Sequence, residues 1–345
     1  MAHRRVTMQD IADACGLSRN TVSKIFNGRG AVPEATQQMV MQKAKELGYY
    51  QVPEPTMAAA SPVESNKNIA LLTSRMPSDY HFGTFFIPAF TERLSRAGYT
   101  LMMYEVSSEE LLEKRLPAHM QLEQTAGVLS IELFQQNYLD MLCTLGLPVI
   151  LVDAYANANI TAINCDLISM ENMSSTIEIT TRVIAAGAQR LGFVGDMEHC
   201  NSFHERWMGF CAALQRADIP LNEKFCILSN DVEPYNNADW LSEQIYQMPS
   251  IPDAFICAND FLALHMMATL KHMGLNIPED IMVTGFDGMP QSAVVEPSLT
   301  TVQIPNADIG RMAADILLNR IKNPAGPFIR TYVATTPIWR NSTLR

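Results

Sequence analysis

Two groups of residues have the types and spacing to do recognition chemistry. The first is Ser18, Arg19, Asn20, Thr21, Ser23 and Lys24, interleaved with Val22, Ile25 and Phe26 at spacings of three and four. With those three apolar residues turned inward on a helix, Arg19, Asn20, Ser23 and Lys24 are left outside. Arg and Lys donate to guanine edges, and Asn pairs bidentately with adenine. Hydroxyls near a helix N-terminus, as on Ser18 and Thr21, suit phosphate oxygens. The second group follows strand-like runs further along. Tyr80, His81 and Phe82 come after the first such run, Arg206 follows the loop 195–201 and opens a helix, and Asp287 ends the run 281–286. Aromatic rings stack on sugar faces or purines. A guanidinium offers five donors, and a carboxylate accepts hydrogen bonds from hydroxyls or amines. His199, Cys200 and His204 match no common metal-ligand spacing and predict a solvated loop. No P-loop, G-x-S-x-G, H-E-x-x-H or G-x-G-x-x-G motif is present.

These residues need elements to position them. Thr7 caps a first helix with Asp10 at its third position, Ile11, Ala12 and Cys15 form its apolar stripe, and Gly16 ends it. Ser18 caps the second helix. Pro33 opens a third, with Met39, Val40, Ala44 and Leu47 expected to face inward and Gly48 to close it. Two short helices joined by a glycine turn and buttressed by a third make a helix-turn-helix. On pattern alone, the same residues also fit an ordinary three-helix piece with a solvated polar face. Residues 51–67, with Pro53, Pro55 and Pro62, read as a linker. Thereafter strands and helices alternate. Strands are expected at 69–73, 100–106, 126–131, 148–153, 190–195, 225–229, 254–258 and 281–286, with helices at 85–97, 109–122, 205–216 and 239–247 among those between them. That rhythm implies parallel sheets covered by helices, and about 280 residues suggests two doubly wound halves with a cleft at the carboxyl ends of the strands.

The chain has 345 residues, 48% hydrophobic and 18% charged, which excludes wholesale disorder. No apolar run approaches the ~20 residues that span a bilayer, and no signal-peptide core follows the N-terminus, so a soluble cytoplasmic protein is expected. Seven cysteines without a C-x-x-C pair read as reduced core thiols. The net charge of −11 argues against nucleic acid, but it divides into +3 for residues 1–50 and −14 for the rest.

The segments Val6-Thr7-Met8-Gln9-Asp10-Ile11-Ala12, Gly16-Leu17-Ser18, Thr21-Val22-Ser23-Lys24, Asn27 and Glu46-Leu47-Gly48-Tyr49 resemble the headpiece of the lac repressor (LacI/GalR) family. Arg206-Trp207-Met208-Gly209-Phe210, Ala258-Asn259-Asp260, Ile277-Pro278-Glu279-Asp280, Thr284-Gly285-Phe286-Asp287 and Glu296-Pro297-Ser298-Leu299-Thr300-Thr301-Val302 resemble that family's periplasmic-binding-protein-like core. The resemblance spans essentially the whole chain. It implies an α/β protein with an all-α headpiece at 1–50, a hinge at 51–67 and a core at 68–345. The core would have one half at about 68–165 plus 291–324 and the other at 166–290 plus 325–345. It implies that Thr7, Ser18, Arg19, Asn20, Thr21, Ser23, Lys24 and Asn27 contact DNA, with Arg19, Asn20 and Lys24 reading bases. It implies that Arg206, Asn259 and Asp287 contact an effector; Asp260, beside Asn259, is expected from its residue type to cap the next helix. Two departures stand out. Gly288 replaces the usual second acidic residue, and the hinge holds Pro53, Glu54 and Pro55 with Ala58 at the wedge leucine's position, which predicts a weakly helical or extended hinge, the alternative being a helix that starts later, across Thr56 to Ala60, with Met57 as the wedge.

The expected protein is a transcriptional regulator, acting as a repressor, that binds double-stranded operator DNA as a homodimer or tetramer. A small molecule, favoured to be a sugar or sugar derivative, controls it, with no cofactor, metal or membrane partner. The rivals are a soluble enzyme acting on a sugar, which no paired catalytic residues support, and a sugar receptor, which would need no residues 1–50.

Overall fold

The computed structural model describes residues 6–26, 33–47, 67–76, 83–230 and 233–344. The hinge 51–66, Asn27, the glycines Gly28, Gly30 and Gly48, and the aromatic group Tyr80, His81 and Phe82 lie outside them. The chain divides into two compact units, 1–65 and 66–345.

In the first unit, α1 (Met8–Cys15), α2 (Arg19–Phe26) and α3 (Glu34–Glu46) enclose Ile11, Ala12, Val22, Val40 and Ala44. Thr7 and Asp10 form a reciprocal capping box, and Gly16 closes α1 in the left-handed conformation, as the residue types dictate. Met39 and Leu47, expected inside, are exposed. Two positions of α3 one turn apart, Val40 and Ala44, suffice to cover so small a core.

The second unit opens with β1 (Asn68–Thr73), α4 (Gly83–Arg96), β2 (Thr100–Glu105), α5 (Ser108–Glu113), β3 (Thr125–Ile131), α6 (Gln136–Cys143), β4 (Val149–Val152) and β5 (Asp166–Met170). It continues with α7 (Met173–Ala185), β6 (Leu191–Val194), α8 (Asn201–Arg216), α9 (Ala238–Tyr246), β7 (Ala254–Cys257), α10 (Asp260–His272), β8 (Met282–Thr284) and α11 (Pro290–Val294). It ends with β9 (Thr301–Gln303), α12 (Asn306–Lys322), β10 (Arg330–Val333) and β11 (Thr336–Ile338). A six-stranded parallel sheet, ordered β10-β5-β4-β3-β1-β2, builds one lobe. A three-stranded parallel sheet β6-β7-β8 builds the other, beside the antiparallel pair β11-β9. Buried strands in continuous apolar runs, such as Val149–Val152, are what parallel sheets covered on both faces require.

Several boundaries differ from expectation. Residues 166–170 pair with β4 and so belong to the first lobe, as does β10 near the C-terminus. Residues 301–303 lie with the second lobe, bridged to β8 through Thr284 and Thr300. The chain therefore passes between lobes at 171–172, 304–305 and 334–335. The helix expected at 109–122 stops at Glu113, where Lys114 turns left-handed ahead of Pro117. Residues 225–229 make no strand, and Ile227 only bridges Val194. Asp166 and Arg320 form a buried bidentate pair, both bonds 2.8 Å, that ties α12 to β5.

The helices α7 and α8 pack closely enough that a Cβ on Gly209 would lie 2.7 Å from the Met173 carbonyl oxygen and 3.0 Å from Thr176 Cβ. Gly209→Ala should therefore lower stability by roughly 1–3 kcal/mol through overpacking, seen as a shifted denaturant midpoint at unchanged m-value. An unchanged midpoint would show that the two helices can separate without cost.

Candidate functional site

Arg19, Asn20 and Lys24 are exposed on α2, and Thr21 and Ser23 are half-buried. This face is available because Val22 is buried against α1 and α3, with Ile25 and Phe26 packed at the edge. Ser18 Oγ accepts from the Thr21 backbone N–H at 3.1 Å and shares a 2.8 Å hydrogen bond with the Thr21 hydroxyl. Both hydroxyls thus sit at the N-terminus of α2, engaged with each other. Thr7 is exposed and caps α1.

The second surface is a cavity of about 370 Å³ between the lobes. Its walls include Phe134, Val152 and Met170 from the first lobe and Phe203, Phe261 and Leu262 from the second. Arg206, Asn259 and Asp287 are brought together on it. Arg206 does not open its helix; α8 begins at Asn201, and Arg206 stands in its second turn, 3% exposed. Its Nε donates to Asn172 Oδ1 (3.0 Å), and Nη1 donates to the Ala258 carbonyl (2.6 Å) and Asp287 Oδ1 (3.4 Å). The guanidinium lies over the Phe286 ring, 3.7 Å from its centroid. Among the described residues this leaves Nη2 to face the cavity.

Asp287 is 18% exposed and has a φ of 122°. Burial pushes its carboxyl up to about 6, against the pull of Arg206. Gly288 follows because its φ is +71° and a Cβ there would meet the Gln303 amide at 2.7–2.8 Å, which accounts for the missing second acid. Asn259, not Asp260, caps α10: its Oδ1 accepts from the Leu262 N–H at 2.9 Å. Asp260 is instead fully buried and accepts from the Thr301 hydroxyl (2.5 Å) and the Met289 N–H (2.7 Å), holding the loop after Asp287 against β9. Burial, then the charge of Asp287, pushes Asp260 up to about 8.

Two residues that the sequence did not single out, Asp153 and Glu132, line the cavity, and a third, Asn172, holds Arg206 from behind. Asp153 ends β4 with a φ of 65°, is 7% exposed, and receives the Ser202 N–H on Oδ2 at 3.1 Å. With the Ala154 carbonyl accepting from Asn201 N–H, it caps α8 from the opposite lobe, where Cys200 supplies no side-chain cap. Asp153 Oδ1 is buried, and the Cys200 thiol lies against this carboxylate. Glu132, φ 55°, ends β3 on the same wall. Asn172 lies on the crossing 171–172 and also donates to Glu205 Oε2 at 2.8 Å. A carboxylate at a strand's carboxyl end was the available signal for Asp153 and Glu132. Asn172 follows a strand that went unrecognised. His199, expected in a solvated loop, packs edge-on to Phe134 at 5.0 Å and near Phe203 at 4.9 Å, and Cys200 is buried.

A helix-turn-helix unit followed by a two-lobed core with a ligand-sized cleft defines a ligand-responsive DNA-binding regulator. The chain belongs to the lac repressor family. Residues 7–51 match the bacterial regulatory proteins of the lacI family, and 180–343 match the periplasmic binding protein-like domain. The HTH-type transcriptional repressor PurR of Haemophilus influenzae (strain PittEE) is 26% identical over 318 residues, 91% of each chain. The PurR repressor of Photobacterium profundum is 28% identical over 321 residues, 92% of each. Among solved structures, a complex of the transcriptional regulator CelR with cellobiose superposes with a TM-score of 0.71 at 23% identity, covering 98% of this chain and 100% of that one. The lac repressor dimer bound to operator and an anti-inducer gives 0.66 at 21%, covering 99% and 100%. No described helix is long and apolar enough to cross a membrane.

Asp260 carries a pH signature. Its folded value, about 8, lies above the ordinary 3.8, so the folded state holds a proton that the unfolded chain releases. Its stabilising contribution is complete below about pH 4 and is lost as the pH rises through about 8. Asp260→Asn should therefore flatten the decline of Tm between pH 5 and 8 relative to the parent. Parallel profiles would refute the assignment.

Proposed function

We propose that the chain is a sequence-specific transcriptional repressor that acts in the cytoplasm as a homodimer on operator DNA and is not an enzyme. The observation that carries this reading is the coexistence of an exposed Arg19–Asn20–Lys24 face, in a headpiece of the lacI type, with a separate cavity built around a buried arginine. In this reading α2 enters the major groove. Arg19, Asn20 and Lys24 read base edges, while Thr7, Ser18, Thr21, Ser23 and Asn27 meet phosphates or flank them. Two headpieces on a pseudo-palindromic site multiply modest affinities. The dimer named in the lac repressor structure supports that assembly.

The cavity then holds the effector. Arg206 Nη2 offers a donor beside the Asp287 acceptor, a pairing that one hydroxyl satisfies from both sides. The Asn259 amide nitrogen is left to donate because its oxygen caps α10. Phe134, Phe203 and Phe261 give apolar faces for a ring to stack on. These features favour a carbohydrate or derivative, in line with the cellobiose in the CelR complex. Tyr80, His81 and Phe82 are assigned to the same site from their place after β1. Of the acids of the cavity, Asp287 is tied to Arg206 and Asp153 to a helix end, which supports binding over turnover. Effector occupancy shifts the lobes between two arrangements and so changes operator affinity.

Arg206→Ala and Asp287→Ala should each weaken binding of a carbohydrate hit by tenfold to a hundredfold, about 1.5–3 kcal/mol, while operator binding in a mobility-shift assay persists. Unchanged calorimetric affinity in both variants would remove the cavity assignment. In the headpiece, replacing Arg19 or Asn20 should change the preferred base at one position of a selected operator by roughly 1–3 kcal/mol. Recovery of the parental consensus by both variants would remove the docking.

A further inference from the structure

Two of the cysteines, both reduced, meet at the amino end of β5. Cys143 is the last residue of α6, and Cys165 stands immediately before Asp166, where β5 begins. Cys143 is half-buried and packs against the apolar cluster that contains the buried Cys165. The Cys165 thiol donates a hydrogen bond to the Cys143 sulfur, which also accepts from the Asn164 backbone N–H. Arg330 fixes the same stretch of chain, its guanidinium donating to the carbonyls of Ile160, Ile163 and Cys165. A partly exposed sulfur in contact with a buried thiol behind it is the arrangement of an attacking and a resolving cysteine.

The surroundings give the two thiols different characters. The hydrogen bond from Cys165, helped by the charge of Arg330, holds the Cys143 thiol below its ordinary value against burial and the charge of Asp140. The same hydrogen bond, and burial, push Cys165 up. Burial pushes Cys211 and Cys226 up to about 11 and raises Cys200 and Cys257 as well. The thiolate, which is the nucleophilic form, is therefore placed on Cys143, and the proton stays with Cys165.

We propose that Cys143 and Cys165 form a peroxide-responsive modification site, at which hydrogen peroxide or an organic hydroperoxide converts the pair to a reversible disulfide joining the end of α6 to the start of β5. The Cys143 thiolate attacks one peroxide oxygen, the O–O bond breaks, and the departing hydroxide or alkoxide takes a proton from solvent. Cys143 is left as a sulfenic acid lying against Cys165. The Cys165 sulfur then attacks the Cys143 sulfur, the S–O bond breaks, and the Cys165 proton leaves with that hydroxide as water. Two thiols lose two electrons and the peroxide gains them. The products are one disulfide, one water, and a second water or an alcohol. The site stands apart from the effector cavity: Cys165 precedes β5, whereas Met170, on the cavity wall, ends that strand.

The test treats the fully reduced full chain with hydrogen peroxide, blocks remaining thiols with iodoacetamide, and maps the peptides by mass spectrometry. Proteolytic cleavage before Asp140, Asp153 and Asp166 puts the two cysteines on separate peptides. The expected result is a cross-link between those peptides that dithiothreitol removes, with Cys211 and Cys226 modified at least about tenfold more slowly. In Cys165→Ser, whose hydroxyl still donates to Cys143, the sulfenic acid should persist at Cys143 and be trapped by dimedone. Recovery of Cys143 and Cys165 as alkylated thiols once Cys211 and Cys226 have reacted overturns the proposal. So does a Cys165→Ser chain that is folded by its circular-dichroism melt yet gives no dimedone adduct at Cys143. If that variant does not fold, the peptide map of the parent chain decides alone.

Discussion

A guanidinium out of water costs several kcal/mol unless its donors are met, and much of the core is arranged around meeting those of Arg206. Its partners come from four places: Asn172 on a crossing between lobes, Ala258 at the end of β7, Asp287 after β8 and the Phe286 ring beneath it. None of these can be displaced without exposing a buried charge. The requirement propagates outward. Asp287 must be held at an unfavourable φ, so the loop after it is pinned to β9 by Asp260, and Gly285 must lack a side chain because a Cβ would lie 2.2 Å from Asp260 Oδ1. The same arginine ties its own lobe to one of the crossings, and it lines the space between the lobes.

The far side of that space depends on Asp153. A helix N-terminus leaves backbone donors unsatisfied, and α8 has its own met by an acid and a carbonyl of the other lobe. One oxygen of that carboxylate therefore completes a helix of the opposite lobe, and the other is buried beside it.

The headpiece was legible in the chain because its signals are local. Thr7 with Asp10, Gly16, Ser18 and Pro33 mark helix ends by chemistry that acts within four residues. Strand-end positions of Asn259 and Asp287 were legible for the same reason, through β-α alternation, whereas Arg206, read as opening its helix, stands a turn further in. What escaped was set at long range. Asn259 and Asp260 are both competent caps, and which one serves depends on Thr301 and Met289, distant in sequence, claiming Asp260. The inward turn of Met39 and Leu47 followed helical spacing, but among the described residues of α3 it is Val40 and Ala44 that fill the headpiece core. Asp166 and Arg320 gave no local hint of one another. The strand 166–170 escaped because its neighbours are β4 and a segment near the C-terminus, and pairing with that distant segment leaves no trace in local pattern.

That last pairing orders events in time. A chain emerging from the ribosome presents β1 to β5 early, but the outer edge of β5, with Leu167 and Ile168, has no neighbour until β10 arrives. The Ile329 N–H that reaches Asp166 comes 163 residues later. Until then, an apolar strand edge stands open, and open edges recruit other chains. The late closure carries a loop-entropy penalty that local contacts cannot offset. The first lobe thus starts to form first and is finished last, after the second lobe has been made in the interval, so nascent chains stalled short of residue 330 would be the species most in need of chaperone protection.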